Sequence, residues 1–239
     1  MTEKDAWNST ELIAHYHRTA DVTIPDRKKI LSKIAELASA FVPRRPEVLD
    51  LGCGSGDVIA EIVRLRPDAP VCGVDLSEGM IKLARNRFQS ENVRILTHDL
   101  NNGIPEDLVA RKFDAVTSCF ALHHIDFGKR VGLYTQIRQV LRDGGLFING
   151  DVFTGESPEI TEWETDNLMR WIMEQAKQVL GVERTFDQVK QRQRELTEMQ
   201  GDKPGTLRAM QDDLRAAGFR YVDCVWMEYH HGIVVATNG

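Results

Sequence analysis

The densest group of chemistry-bearing residues is Val48-Leu49-Asp50-Leu51-Gly52-Cys53-Gly54-Ser55-Gly56, an apolar run entering a glycine-rich turn. Glycines let the backbone pass close to a ligand, and a helix opening just after the turn offers free N–H groups. Dinucleotide enzymes use this device with the spacing G-x-G-x-x-G. Here the spacing is G-x-G-x-G, and Asp57 stands where the third glycine would be. With Asp50 just before the turn, the pattern points away from a pyrophosphate. A purely structural turn is the bland alternative.

Three further apolar runs end in special residues. Residues 71–74 lead to Asp75, whose carboxylate can accept hydrogen bonds from vicinal ribose hydroxyls. Ser77 serves as the N-cap of the helix that follows, leaving Asp75 free for that role. Residues 93–97 lead to His98-Asp99-Leu100, and residues 113–119 lead to Phe120-Ala121-Leu122-His123-His124. Four runs ending this way make a site, because ligands of open parallel sheets bind at the carboxyl ends of the strands.

The elements that would position these residues alternate. Strands at 48–51, 71–74, 93–97, 113–119 and 146–151 are separated by helices near 56–66, 78–89 and 129–142, with Gly144-Gly145 turning the chain into the fifth strand. That rhythm predicts an α/β fold, a doubly wound, mostly parallel seven-stranded sheet. Two N-terminal helices are expected at 10–19 and 26–42, the second carrying Ile30, Ile34, Leu37 and Phe41 at helical spacing and ended by Pro43 and Pro46. After Asp151 the rhythm breaks into polar helices over 157–205. A helix at 206–217 with Gly218 as C-cap and two terminal strands, 219–229 and 230–236, close the chain. The expected organisation is an N-terminal helical segment (1–43), a Rossmann-like ligand-binding domain (44–151 and 206–239) and a helical lid insertion (152–205).

The residues at 48–56, V-D-L-S at 74–77 with Met80, H-D-L at 98–100, the run at 113–124, Q-V-L-R-D-G-G-L-F-I at 139–148 and A-A-G-F at 216–219 resemble the class I S-adenosylmethionine (SAM) dependent methyltransferases. The resemblance implies SAM as cofactor and methyl transfer as the activity. It places Gly52, Gly54 and Gly56 along the methionine part of SAM and Asp75 on the ribose, with Asp50 and Cys53 also counted among the cofactor-binding residues. Leu76 and Met80 fall against the adenine, Asp99 and Leu100 at its amino edge, and Cys119 in the floor. Within the class, the layout resembles bacterial carboxy-SAM synthase at both ends of the chain. That likeness sets Arg27 in the segment I-P-D-R-K-K-I-L-S at 24–32, where a forked donor would suit the SAM carboxylate. The key loop departs from that family, G-C-G-S-G replacing G-C-S-L-G, so the resemblance is architectural. Carboxy-SAM synthesis or transfer and a non-catalytic SAM-binding role stay as rivals.

For catalysis the candidates are His123, His124 and Tyr16. A neutral imidazole can take a proton from an N–H or O–H nucleophile at neutral pH. Adjacent loop residues rarely share a direction, which favours one histidine, His123, as the one facing the methyl. No metal site is read. His15 and His17, two apart on a helix, point about 200° from each other. His230 and His231 alternate across a strand. Trp163 and Trp171, eight apart, are expected in a core, and Lys190, Arg192 and Arg194 on a solvated face.

The 239-residue chain is 42% apolar, enough for a sizeable core, and carries a net charge of −6. Such a charge disfavours nucleic acid and favours a small-molecule substrate. It leaves a homodimer open. Cys53, Cys72, Cys119 and Cys224 form no C-x-x-C pair and read as reduced thiols. Residues 1–5 lack an apolar signal core, and no run approaches the ~18 apolar residues of a membrane helix. The expected location is cytoplasmic, with no membrane partner.

Overall fold

A computed structural model describes residues 7–40 and 45–239. Residues 1–5, Phe41 and Pro43 lie outside the described residues. Helices α1 (Thr10–Thr23) and α2 (Arg27–Ala40) precede β1 (Val48–Leu51), α3 (Asp57–Leu65), β2 (Val71–Asp75), α4 (Glu78–Arg87) and β3 (Val93–Thr97). Then come α5 (Glu106–Val109), β4 (Phe113–Cys119), α6 (Phe127–Val140) and β5 (Leu141–Val152). Last are α7 (Pro158–Leu180), α8 (Phe186–Gln200), α9 (Leu207–Ala216), β6 (Tyr221–Glu228) and β7 (His231–Thr237).

The seven strands form one sheet in the order β3-β2-β1-β4-β5-β7-β6. The first five are parallel, and β7 runs antiparallel to both β5 and β6. The chain winds outward from β1 in one direction through β2 and β3, and in the other through β4 and β5. The crevice above the β1/β4 pair is therefore the topological switch point, where such sheets hold ligands.

Strand alternation divides the core into two faces. Leu49 and Leu51 join Leu133, Tyr134 and Ile137 of α6 and Met210 and Leu214 of α9 on one face. Val48 joins Ile30 and Ile34 of α2, Ile59 and Ile62 of α3 and Ile81 of α4 on the other. Asp50 shares the parity of Val48, so its carboxylate is buried by the pleat. Leu168, Met169, Ile172 and Val189 of α7 and α8 form a third, separate cluster with Trp171 and Phe186 packed against it.

Several details depart from the sequence expectation. α1 runs to Thr23, well past residue 19, its N-terminus capped by Ser9. β5 begins at Leu141, which pairs with Phe113 before the register shifts; Gly144-Gly145 lies inside the strand as an irregularity. Ala217 is the cap of α9, and Gly218 follows it at φ +95°. Tyr229 and His230 form the two-residue turn between β6 and β7, with Tyr229 at φ +47°. Trp163 is 63% exposed on α7 and belongs to no core, whereas Trp171 packs. His230 and His231 are both buried. All four cysteines are free thiols. Among the described residues no helix is long and apolar enough to cross a membrane.

Candidate functional site

The end of β1 sets the floor of the crevice. Asp50 is buried; Thr117 donates to its Oδ1 at 2.8 Å, and its Oδ2 is buried with no hydrogen-bond partner. Burial, with Asp75 and Asp57 nearby, pushes its carboxyl up to about 7. The backbone then turns sharply. Gly52 and Cys53 both donate to the carbonyl of Val74, at 2.7 and 3.0 Å.

The glycines of this turn do different work. Gly52, at φ +69°, has room for no side chain, because a Cβ there would stand 2.1 Å from that of Ala121. Gly54, at φ +51°, has nothing within 4 Å of where its Cβ would be and faces open space. Gly56, at φ +84°, precedes α3 and would strike Phe88. It does not itself line the crevice, though its neighbours Ser55 and Asp57 do, and it turns the chain into α3.

Asp75 ends β2. Its Oδ2 accepts from Gly54 N–H and its Oδ1 from Ser77 N–H, both at 2.8 Å. Each oxygen keeps a second lone pair. Ser77 caps α4 as expected, its Oγ accepting from Met80 N–H. At the end of β3, Asp99 accepts from Asn101 N–H at 2.9 Å and starts the short helical turn Leu100–Asn102. At the end of β4, Cys119 is followed by Phe120 at φ +52° and the turn Leu122–His124. Burial raises the Cys119 thiol well above its ordinary value.

These strand ends, with Trp7, Tyr16, Arg27 and Leu31 above them, enclose about 1050 Å³ of space including the mouth. Tyr16, Arg27, Asp50, Gly52, Cys53, Gly54, Asp75, Leu76, Met80, Asp99, Leu100, Cys119 and His124 all line it. The wall also holds residues that sequence reasoning did not assign to the site, chiefly Trp7, Leu31, Asp57, Phe120 and Ile125. Asp57 had a signal, since it directly follows the glycine turn. Trp7 had none; it reaches the site because its carbonyl accepts from Ser77 Oγ at 2.5 Å and Asn8 Oδ1 accepts from Glu78 N–H.

Arg27 reaches the wall already paired. Its Nη2 lies 2.5 Å from Asp57 and its Nη1 3.1 Å from Asp21, and the guanidinium sits over the Tyr16 ring. Burial alone would raise Asp57, but hydrogen bonds from Arg87 and Arg27 hold it below the usual carboxylate range. Burial raises the Tyr16 hydroxyl.

His123 is not in the wall. It turns beneath it, buried, with Nδ1 2.5 Å from Asp151 and Nε2 3.5 Å from Asp202. Burial alone would lower its pKa, but these carboxylates raise it to about 10. A histidine charged throughout the neutral range is no general base there, so the expectation that His123 faces the reacting group is corrected. His124 lines the crevice, its ring 5.7 Å from Trp7.

Residues 48–145 match the methyltransferase domain family. Over 59% of its length the chain is 26% identical to carboxy-SAM synthase of Campylobacter lari, and the match spans only 58% of that relative. With carboxy-SAM synthase of Staphylococcus epidermidis it is 24% identical over 94% of this chain and 92% of the other. Human N-acetylserotonin methyltransferase, solved in complex with SAM, shares the fold at a TM-score of 0.58 and 16% identity, covering 100% of this chain and 57% of that one. Residues 48–145 are thus a methyltransferase domain, and the sheet order with the site at its switch point makes the chain similar to the class I, Rossmann-like SAM-dependent methyltransferases, carboxy-SAM synthase among them.

Proposed function

We propose that the protein transfers a methyl group from SAM to a nucleophile on a small molecule. The observation that carries this reading is the pairing of Asp50 Oδ2, buried without a partner, with the open space over Gly54 in one crevice. A backbone passing under a ligand and a carboxylate awaiting a cation suit the aminocarboxypropyl end of SAM. Asp75 has lone pairs left for two ribose hydroxyls. Leu76 and Met80 offer apolar surface to adenine, Asp99 and Leu100 lie at its edge, and Cys119 forms floor. Arg27 would share its fork between Asp57 and the SAM carboxylate.

SAM supplies a methyl group already activated on a sulfonium. The protein's share is to align a nucleophile with it, and such positioning can supply roughly 7–11 kcal/mol. His124 is our candidate to accept a proton from the nucleophile, with Tyr16 as competitor; a general base adds about 10²–10⁴ in rate. Residues 152–205 are read as a lid, resting on the separate packing of α7 and α8. The net charge of −6 supports a small acceptor over a polyanion.

The similarity to carboxy-SAM synthase over nearly the whole chain favours one second reading, synthesis or use of carboxy-SAM. Mass spectrometry of the nucleoside that copurifies, joined to an assay of SAM conversion with metabolite pools, separates these. Retained SAM or S-adenosylhomocysteine with turnover supports methyl transfer. A carboxylated nucleoside supports the second reading. Binding without turnover across the pools leaves a SAM-binding protein.

A further inference from the structure

At the histidine loop, part in the crevice wall and part behind it, three donor atoms from two distant segments converge. His123 Nε2 lies 3.5 Å and His124 Nδ1 3.7 Å from Asp202 Oδ1, and all three fall within 4.8 Å of one another. Asp202 comes from the turn after α8, some eighty residues along the chain. That turn is fastened to the histidine loop: Lys203 N–H donates to the His123 carbonyl at 3.1 Å, and Arg130 Nη2 donates to the carbonyls of both His123 and Lys203.

The separations are long for hydrogen bonds, which fall at about 2.7–3.2 Å. They suit a shared ion. Two atoms bonded at roughly 2.1 Å to one tetrahedral ion stand about 3.4 Å apart. Asp202 Oδ1 is also buried and makes no hydrogen bond. A second, independent feature is the Asp151 carboxylate at 2.5 Å from His123 Nδ1. A carboxylate on the far nitrogen fixes the ring and aims Nε2 outward, the arrangement that orients metal-ligating histidines. Asn149 Nδ2 donates to the other Asp151 oxygen at 3.2 Å, and Val152 N–H to the first at 2.9 Å, so this carboxylate is itself held.

We infer that His123, His124 and Asp202 form a binding site for a divalent ion of the zinc type, with Asp151 as the group that orients His123. Two imidazole nitrogens and one carboxylate oxygen are the donor set such an ion takes, with a fourth position left for water. The ion ties the turn at 201–205 to the loop that forms the crevice wall. The site does not depend on the identity of the crevice ligand, but a His124 that binds the ion through Nδ1 cannot also accept a proton, so with the ion bound the base named above is Tyr16.

The test is calorimetric titration of zinc chloride into the untagged full chain after chelator dialysis, with zinc content of the gel-filtered protein measured in parallel. One equivalent should bind, and thermal unfolding should move upward with zinc. Asp202→Ala should weaken binding at least about tenfold and remove that upward shift, and Asp151→Asn should weaken it about 10–100-fold. Asp202 lies on a surface turn, so its variant reports even if Asp151→Asn fails to fold. Absence of saturable zinc uptake would overturn the inference. So would equal uptake by wild type and Asp202→Ala, which would assign the ion to other histidines.

Discussion

The two sides of the crevice are built by opposite means. The side formed by β1 and β2 is local: strand, glycine turn and helix follow within a few residues, and Asp50, Gly54 and Asp75 are fixed by backbone bonds inside that unit. The side formed by α1, the histidine loop and the turn at 201–205 is assembled at long range, with Trp7 held by Ser77 and His123 held by Asp151 and Asp202. A local device can be read and can be broken by one substitution. A long-range one shows only in three dimensions, and its parts fail by degrees.

The comparison is sharpest at Gly52. Gly52→Val sets a Cβ against Ala121 at 2.1 Å, in a backbone region closed to branched side chains. The expected outcome is loss of cooperative unfolding, well beyond the ~1 kcal/mol of an average substitution; circular dichroism melting checks it.

On the long-range side, His124→Ala should lower kcat at least about tenfold while SAM affinity stays nearly constant. Steady-state kinetics beside a binding isotherm read the two effects apart. An unchanged kcat would leave His124 as packing against Trp7.

Asp50 gives the local side a pH signature. Its folded pKa of about 7 exceeds the ordinary carboxylate value, so the fold holds a proton that the unfolded chain releases. That contribution to stability is complete below about pH 4 and is lost as pH rises through about 7. A cationic ligand group beside Asp50 favours the ionised form. SAM affinity should therefore climb as pH rises from 6 to 8, by up to about tenfold, and stay flat in Asp50→Asn. Calorimetry across that range decides it.

The smallest effect is expected at Trp163. Because it is 63% exposed, Trp163→Ala should change stability by less than about 0.5 kcal/mol in a denaturant melt. A loss of several kcal/mol would return it to a core.

What the sequence made legible follows the same division. The alternation of strands and helices, the glycine turn and the place of Asp75 at a strand end were readable because period-two burial and turn chemistry are written in neighbouring residues. The start of β5 was misplaced because Gly144-Gly145 reads as a turn, yet the strand runs through it as an irregularity. The turn at Tyr229-His230 carried no signal because neither residue is a usual turn former. His123 was assigned to the crevice because a loop histidine gives no direction. The residue that turns it inward, Asp151, lies at the end of another strand. Trp163 was expected in a core because helical spacing identifies a face without saying what covers it.

The central claim, that the crevice over the glycine turn is where SAM binds, is met most directly at Gly54. Gly54 lines the crevice and a Cβ there would meet nothing within 4 Å, so Gly54→Leu should project into the crevice with about 1–2 kcal/mol of backbone strain. The measurement is calorimetric titration of SAM into wild type and into Gly54→Leu that still unfolds cooperatively. One equivalent bound by wild type and at least about 100-fold weaker binding by the variant, about 2.7 kcal/mol, is the predicted result. Equal affinity in the two proteins would contradict it.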